Sequence, residues 1–285
     1  MTRIAHLSDL HFGRIERAVV DPLIDAIHRV RPDVTIVSGD FVEHGVREEF
    51  EAARDFVQRL PVPRILVPGN HDMPFRNLLS RLLTGLELYR EYISADLDPF
   101  WINHEVAVMG VNTARLWPIR GGRINKDQVH HVERTLCALS PSVTKILVTH
   151  HPFDLHESYG HHELVGRARM AMGRLAQSVD ILLAGHMHVS HAGHTAVRYQ
   201  LQGRSAIFVQ AGTATSTRGR GEPNTFNLIR VNRPELVIER HQWVVSEQRF
   251  YRTSAERFTL WMEPDACPIS LETVPPEEVH TAYPD

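Results

Sequence analysis

The pattern that most restricts the fold of this chain is a series of short apolar runs separated by segments with helical periodicity. Seven runs of four to six mostly β-branched or leucine residues occur at 4–8, 34–38, 65–68, 106–111, 146–149, 181–184 and 207–210. Runs of this length and composition are typical of buried strands. Because the strands alternate with helical segments, the sequence predicts an α/β fold with a largely parallel sheet.

Two helical segments carry start signals. Asp21 followed by Pro22 predicts a helix that begins there, since Asp caps free N–H groups and Pro fits the first helical position. Asn125 with Gln128 three residues later predicts a capping box. Residues 75–93 carry a helix-spaced apolar stripe that we expect to pack on the body of the protein. The alternative is an exposed apolar cap that contacts a lipid tail or the second subunit of a homodimer.

The chain changes character after residue 205. Strand candidates at 207–210, 226–231 and 236–245 follow one another with short links, which predicts antiparallel strands that close a second sheet. Residues 263–285 hold five Pro and six Asp or Glu but no Lys or Arg. We therefore expect one domain over residues 1–262 and a Pro- and acid-rich C-terminal tail over 263–285.

Composition excludes several classes of protein. The chain has 31 Lys and Arg against 34 Asp and Glu, a net charge of −3, so it lacks the basic excess of a general nucleic-acid binder. No run approaches the roughly 18 apolar residues of a membrane span. Arg3 and His6 lie where a signal peptide needs an apolar run. We expect a cytoplasmic protein without a membrane span.

Polar clusters directly follow five of the strands. In an open α/β sheet the carboxyl ends of the strands meet at one edge, where ligands bind, so these clusters are expected to converge. Seven of their side chains are of metal-ligand type: Asp9, His11, Asp40, Asn70, His150, His186 and His188. So many ligands exceed the needs of one ion but suit two adjacent ions that share a carboxylate, a site that favours an anionic phosphate.

These motifs resemble those of the calcineurin-like metallophosphoesterases. The shared elements are Asp9-x-His11, Gly39-Asp40, Gly69-Asn-His-Asp72, His150-His-Pro152 and Gly185-His-x-His188, in that order over residues 4–188. The spacing from Gly39 to Asp72 is most similar to that of the bacterial class III cyclic nucleotide phosphodiesterases. The resemblance implies an αββα fold, in which two sheets pack face to face and helices cover both outer sides.

The resemblance also implies roles for the ligands. Asp9, His11 and His188 would hold one divalent ion, Asn70, His150 and His186 would hold the other, and Asp40 would bridge them. A nitrogen and oxygen ligand set without thiolate suits Mn, Fe or Zn better than Mg or Ca.

The activity implied is metal-dependent hydrolysis of a phosphodiester, with a 3′,5′-cyclic nucleotide as the substrate of the narrower resemblance. A hydroxide that bridges the two ions would attack phosphorus in line. We predict that His71 hydrogen-bonds or protonates the leaving oxygen and that Asp72 orients His71. His44, four residues after Asp40, is a candidate for substrate contact.

Other functions stay open at this point. A DNA-repair-type exonuclease shares the motifs but needs clustered Lys and Arg, and a lipid-linked pyrophosphate hydrolase requires residues 75–93 to form an exposed apolar cap. A metal-free scaffold module is the non-enzyme alternative, although such a module loses ligands and all seven are present here. Arg218 and Arg220 occupy a loop after the seventh strand, either as solvated side chains or as phosphate contacts.

Overall fold

Two six-stranded sheets form the centre of the computed structural model, which describes residues 1–74, 78–117, 120–199 and 205–260. In spatial order the first sheet contains β12 (Arg249–Thr259), β11 (Glu235–Val244), β10 (Thr225–Asn232), β1 (Thr2–Leu7), β2 (Val34–Ser38) and β3 (Arg64–Val67). The second contains β4 (Phe100–Ile102), β5 (Val106–Gly110), β6 (Thr144–Val148), β7 (Ile181–Ala184), β9 (Ile207–Gln210) and β8 (His191–His194). The neighbouring pairs β1–β2–β3 and β5–β6–β7–β9 are parallel, as the sequence predicts.

Helices cover the outer faces of both sheets. They are α1 (Arg17–Val30), α2 (Arg47–Arg59), α3 (Leu78–Thr84), α4 (Glu87–Tyr92), α5 (Lys126–Cys137), α6 (Ala168–Leu175) and α7 (Ala196–Tyr199), with a 3-10 turn at His161–Glu163. α1 and α2 pack on the first sheet and α5 and α6 on the second. Ile4 and Ile36 of the first sheet share one buried layer with Val108 and Ile146 of the second. The αββα architecture is therefore confirmed.

The start of α1 differs from the prediction. The helix begins at Arg17, where the Glu16 side chain accepts the Ala18 N–H, and Pro22 lies inside the helix. Pro22 removes one backbone N–H from the ladder, but Val19 in the added turn is fully buried. Its burial favours the longer helix over one that begins at Asp21.

The capping box of α5 is confirmed, because Asn125 and Gln128 each accept the other's backbone N–H. The apolar stripe predicted over residues 75–93 is described from residue 78 onward, where it is divided into α3 and α4 at Gly85, which has a φ of +49°; residues 75–77 of the prediction lie outside the described residues. Tyr89 in α4 is buried in the first core, as expected for a segment that packs on the body. Leu82 and Leu83 of α3 are instead 62% and 71% exposed, as in the cap alternative.

The strands after residue 205 do not close a separate sheet. β9 lies parallel to β7 in the second sheet, whereas β10 pairs antiparallel with β1 and extends the first sheet through β11 and β12. The short links correctly predict antiparallel pairing for β10 and β11, but they carry no information on which sheet receives a strand.

The domain boundary at residue 262 stays a prediction, and the C-terminal tail over 263–285 lies outside the described residues. None of the helices in the described part of the chain has the length and apolarity that crossing a bilayer requires.

Candidate metal centre and substrate cavity

The first group of predicted ligands lies beyond the ends of β1, β2 and β7. His188 Nε2 is 3.2 Å from Asp9 Oδ1 and 3.2 Å from His11 Nε2. His11 Nε2 is 3.6 Å from Asp40 Oδ2. All four side chains are buried, and one nitrogen or oxygen of each lies within 4.8 Å of the others. The structure therefore brings together four of the seven predicted ligands in one cluster.

The remaining three ligands lie on the other side of Asp40. His150 Nε2 is 3.3 Å from Asp40 Oδ2 and 3.3 Å from His186 Nδ1. Asn70 lines the same cavity as Asp40 and His186. Because Asp40 Oδ2 faces both His11 and His150, its carboxylate lies between the two groups, where a bridging ligand is required.

The backbone at these positions is unusual for residues other than glycine. Five of the seven candidate ligands have φ between +51° and +76°: Asp9, His11, Asp40, His186 and His188. A left-handed conformation costs such a residue about 1–2 kcal/mol, and strain of this kind clusters at functional sites. Glycine is needed nearby, since a Cβ at Gly39 would lie 2.5 Å from the His150 ring and one at Gly69 2.1 Å from Asp40 Oδ1.

Three of the imidazoles are held through Nδ1. The contacts are His11 Nδ1 to Glu43 Oε2 at 2.9 Å, His150 Nδ1 to the Ser38 carbonyl at 2.7 Å and His188 Nδ1 to the Arg218 carbonyl at 3.2 Å. An acceptor at Nδ1 places the proton there and leaves the Nε2 lone pair free to bind a cation. The three lone pairs therefore point toward the neighbouring carboxylates of Asp9 and Asp40.

Two buried oxygens of the cluster fit a metal site. Asp9 Oδ1 and Asn70 Oδ1 have no hydrogen-bond donor among the described residues. A buried polar atom without a partner costs about 1–3 kcal/mol, and a divalent cation would satisfy both oxygens. Oxygen and imidazole donors without thiolate suit Mn, Fe or Zn. The residues present therefore fit the two ions that the sequence predicts.

The charges of the cluster are strongly coupled. Burial lowers the pKa of His11, but the carboxylates of Asp9 and Glu43 outweigh it and raise the pKa to about 9. Burial likewise lowers the pKa of His150, and Asp40 raises it to about 9. By contrast, burial together with the charge of His150 lowers the pKa of His186 to about 3. Cations bound at these nitrogens would compete with the protons of His11 and His150.

His71 and Asp72 do not contact each other in the predicted way. His71 Nδ1 donates to the Glu43 carbonyl at 2.7 Å, and the carboxylate of Asp72 accepts the backbone N–H groups of Gly69, Phe41 and Val42. Burial and the charge of Asp40 raise the pKa of Asp72 to about 7. Asp72 thus ties the turn after β3 to the turn after β2, and the ring of His71 is oriented by Glu43 instead.

A cavity of about 390 Å³ opens above the candidate ligands. It reaches His44, whose Nδ1 is 2.7 Å from Glu49 Oε1. Its walls also contain residues to which the sequence gave no role or only an open one: Glu43, Arg120, Glu163, Arg218 and Arg220. Glu43 could have been found, since a carboxylate three residues after Asp40 on the same turn lies within reach of the ligands. Arg120 comes from the loop before α5 and Glu163 from the 3-10 turn His161–Glu163, and neither lies in a motif that marks it.

His151, next to the candidate ligand His150, is occupied on both ring nitrogens. Nδ1 is 2.9 Å from Thr113 Oγ1 and Nε2 is 3.2 Å from the Arg120 carbonyl. Burial and the charge of His186 hold the pKa of His151 well below its usual range. This histidine therefore joins two loops beside the cavity, and one of its ring nitrogens lies within 4.8 Å of nitrogens of the candidate ligands His150 and His186.

The fold and the arrangement of ligands agree with the comparison to protein families. The chain belongs to the calcineurin-like phosphoesterase family, whose model matches residues 2–190.

Two curated relatives that match part of the chain are named as phosphodiesterases. The chain is 26% identical over 165 residues to "Probable glycerophosphodiester phosphodiesterase GpdQ" of Arcobacter nitrofigilis. This match covers 55% of this chain and 57% of the relative. The chain is 34% identical over 162 residues to a "Probable cyclic nucleotide phosphodiesterase" of Synechococcus sp., which covers 52% of this chain and 57% of the relative. Each match thus spans little more than half of either protein. Both names agree with the resemblance to class III phosphodiesterases.

Among solved structures, the chain is similar to purple acid phosphatase PPD1 from yellow lupin seeds. The TM-score is 0.69 over 90% of this chain and 53% of the phosphatase, at 12% sequence identity. This likeness shows a common fold.

Proposed function

We propose that the protein is a phosphodiesterase with two divalent ions, and that its substrate is a 3′,5′-cyclic nucleotide. The observation that carries the proposal is the position of Asp40, whose Oδ2 is 3.6 Å from His11 Nε2 and 3.3 Å from His150 Nε2 on the floor of the cavity. A carboxylate between two imidazole groups, beside unsatisfied oxygens, supports a pair of ions rather than one. The names of the curated relatives support the phosphodiester substrate.

Bound ions would supply a nucleophile from water at neutral pH and stabilise the charge that develops on the phosphate. Asp9, His11 and His188 would hold one ion, Asn70, His150 and His186 the other, and Asp40 both. The chain's own residues supply orientation: Glu43 positions His11, and the Ser38 carbonyl positions His150. The walls of the cavity contain three arginines, Arg120, Arg218 and Arg220, which complement an anionic substrate.

The test is a substrate panel with the purified protein reconstituted with Mn²⁺. The panel contains 3′,5′-cyclic AMP, 2′,3′-cyclic AMP, a glycerophosphodiester, an aryl diester, an aryl monoester and single-stranded DNA, with Asp40→Ala as the blank. We expect selective turnover of 3′,5′-cyclic AMP that is absent from the blank. Efficient turnover of another diester with feeble cleavage of cyclic AMP would contradict the cyclic nucleotide and keep the phosphodiesterase. Equal turnover by the blank would contradict the metal centre.

A second candidate is a substrate with a lipid group, and the exposed apolar residues beside the site favour it. Leu82 and Leu83 of α3 lie in the described part of the 75–93 segment, and Trp117 in the loop after β5 is 73% exposed. Arg81 of α3 donates to the carbonyls of Asn70, Arg115 and Leu116, so this apolar surface adjoins the candidate centre. Activity that requires detergent or lipid, and that falls in Leu83→Ser while cyclic AMP turnover is unchanged, would support this candidate.

A further inference from the structure

The loop between β9 and β10 crosses from the second sheet to the first, directly over the candidate metal centre. Its backbone is held by buried hydroxyl groups: Thr213 Oγ1 donates to the Asp9 carbonyl at 2.6 Å, and Thr215 Oγ1 donates to the Leu10 carbonyl at 2.6 Å. Both threonines are buried. The loop that carries Arg218 is therefore anchored by buried hydrogen bonds and is not a solvated loop.

The guanidinium of Arg218 is held at one end only. Its Nη1 donates to Glu43 Oε2 at 3.2 Å and to His71 Nε2 at 3.2 Å. Its Nε and Nη2 atoms have no acceptor in the part of the chain that the structure describes. The side chain is 31% exposed and lines the cavity, so this edge of the guanidinium is open to a ligand. Two parallel N–H groups on such an edge match two oxygens of a phosphate.

The contacts of His71 also indicate that Arg218 is the donor that faces the cavity. Because His71 Nδ1 donates to the Glu43 carbonyl, the Nε2 atom of a neutral ring is an acceptor, and Arg218 Nη1 is its donor. In this arrangement the donor that faces the cavity is Arg218, and His71 holds it in place.

We propose that Arg218 binds the phosphate group of the substrate through its Nε and Nη2 atoms, while Glu43 and His71 hold Nη1. This inference rests on the proposed function, because it assigns a residue to the same substrate site. A fixed donor aimed at oxygens that gain charge during the reaction lowers the barrier.

The proposal is tested with Arg218→Gln and Arg218→Lys in the Mn²⁺-loaded protein. The matched control is Arg14→Gln, which removes the same charge from an exposed side chain on a neighbouring loop outside the cavity. With an aryl diester we expect kcat/KM of Arg218→Gln to fall by about 10²–10³-fold, the range for loss of one such donor. Arg218→Lys should recover part of the loss, and Arg14→Gln should match the unaltered protein.

A second measurement does not depend on turnover. Calorimetry with inorganic phosphate should show at least about tenfold weaker binding to Arg218→Gln than to Arg14→Gln, with equal Mn content in both proteins by mass spectrometry. Equal kcat/KM and equal phosphate affinity in the two variants would overturn the proposal, as would an unaltered protein that binds no phosphate. If no variant cleaves any ester, the proposed function fails, and phosphate affinity alone decides the role of Arg218.

Discussion

At the strand ends that carry the candidate ligands, five non-glycine residues adopt left-handed backbone conformations, whereas β10, β11 and β12 contain no such residue. The antiparallel strands pair in continuous register from Thr225 with Gln242 to Asn232 with Glu235, and the register between β11 and β12 shifts once, between Arg240 and His241. Within its strands the second region therefore follows the local backbone preferences from which the first region departs, and its left-handed residue Gln248 lies in the turn between β11 and β12.

The two regions also use buried groups differently. Buried polar atoms without a hydrogen-bond partner occur in both regions, at Asp9 and Asn70 in the candidate centre and at Asn227 and Arg240 in β10 and β11. The groups of metal-ligand side chains found among the described residues, however, all lie at the candidate centre. A cation site needs several lone pairs that point toward one position. Atoms arranged in this way cannot all accept hydrogen bonds from neighbouring groups of the protein. The comparison indicates that activity depends on the strand ends and that stability comes from the rest of the sandwich, so mutations can change one without the other.

Loss of the shared carboxylate should have the largest effect. Asp40→Asn keeps a residue that tolerates the left-handed backbone but removes the charge that both groups of ligands face. Metal ions supply several kcal/mol to the reaction, and each 1.36 kcal/mol is tenfold in rate, so we expect kcat to fall by about 10³-fold or more. Turnover of an aryl diester and metal content check this. The control is Asp25→Asn on the exposed side of α1, and equal metal content and turnover in both variants would contradict a bridging role.

Metal removal should loosen one region and leave the other unchanged. A ligand that binds only the folded protein stabilises it by about 2.7 kcal/mol at 100 times its Kd, which corresponds to roughly 5–10 °C in Tm for a protein of this size. We expect chelation to lower Tm by this amount and Mn²⁺ to restore it, except in Asp40→Asn. Hydrogen exchange should rise at residues 8–12 and 185–190 but not in β10 or β11. A uniform rise across both regions would show that the comparison does not hold.

Much of the site could be predicted because its residues lie at fixed offsets from strands that the apolar runs reveal. The carboxyl ends of parallel strands share one edge, so Asp9 and Asp40, which follow β1 and β2 of the first sheet, had to be neighbours once the strands were identified. His150 follows β6 of the second sheet and reaches them because the two sheets pack face to face. Arg218 could not be assigned a role in this way. Its role depends on long-range contacts, such as that of its Nη1 with Glu43 across 175 positions, and no local pattern encodes those.

The elements of the fold also divide into those that could be predicted from the sequence and those that could not. Strands β1, β2, β6 and β7 are buried almost throughout, and each contains an apolar run that could be read from the sequence. Strand β12 could not, because its residues are mostly exposed and several are charged, which is typical of an edge strand. The position of Pro22 inside α1 was missed because burial of Val19 outweighs a local capping preference.

A cavity in the regular region should reduce stability without changing catalysis. Ile238 is 1% exposed, and Ile→Ala substitutions at such positions cost about 2–5 kcal/mol. We expect Ile238→Ala to lower the free energy of unfolding in urea by that amount, with kcat of the folded protein unchanged. Val245→Ala, at a position that is 75% exposed, is the control and should leave both quantities unchanged. A fall in kcat as large as that of Arg218→Gln would place β11 in the machinery of the site.

The smallest expected effect concerns an ion-pair group on the outer side of the same strands. Glu239 Oε1 is 3.1 Å from Arg230 Nε and 3.3 Å from Arg252 Nη1. Burial raises the pKa of Glu239, but the hydrogen bond from Arg230 outweighs it and holds the pKa below the usual 4.5.

A lowered pKa stabilises the folded state above the ordinary value of the carboxyl, and this contribution disappears as the pH falls through the folded-state value. Glu239→Gln should therefore lower the free energy of unfolding at pH 7 by at most about 1 kcal/mol, and the difference from the unaltered protein should shrink steadily below pH 4.5. Urea titrations at pH 7 and at lower pH check this, with the exposed Glu247→Gln in the β11–β12 turn as the control. If the difference in the free energy of unfolding instead grows as the pH falls, the ionised carboxylate of Glu239 destabilises the folded protein. The contrast between these strands and the metal-binding edge would then not hold.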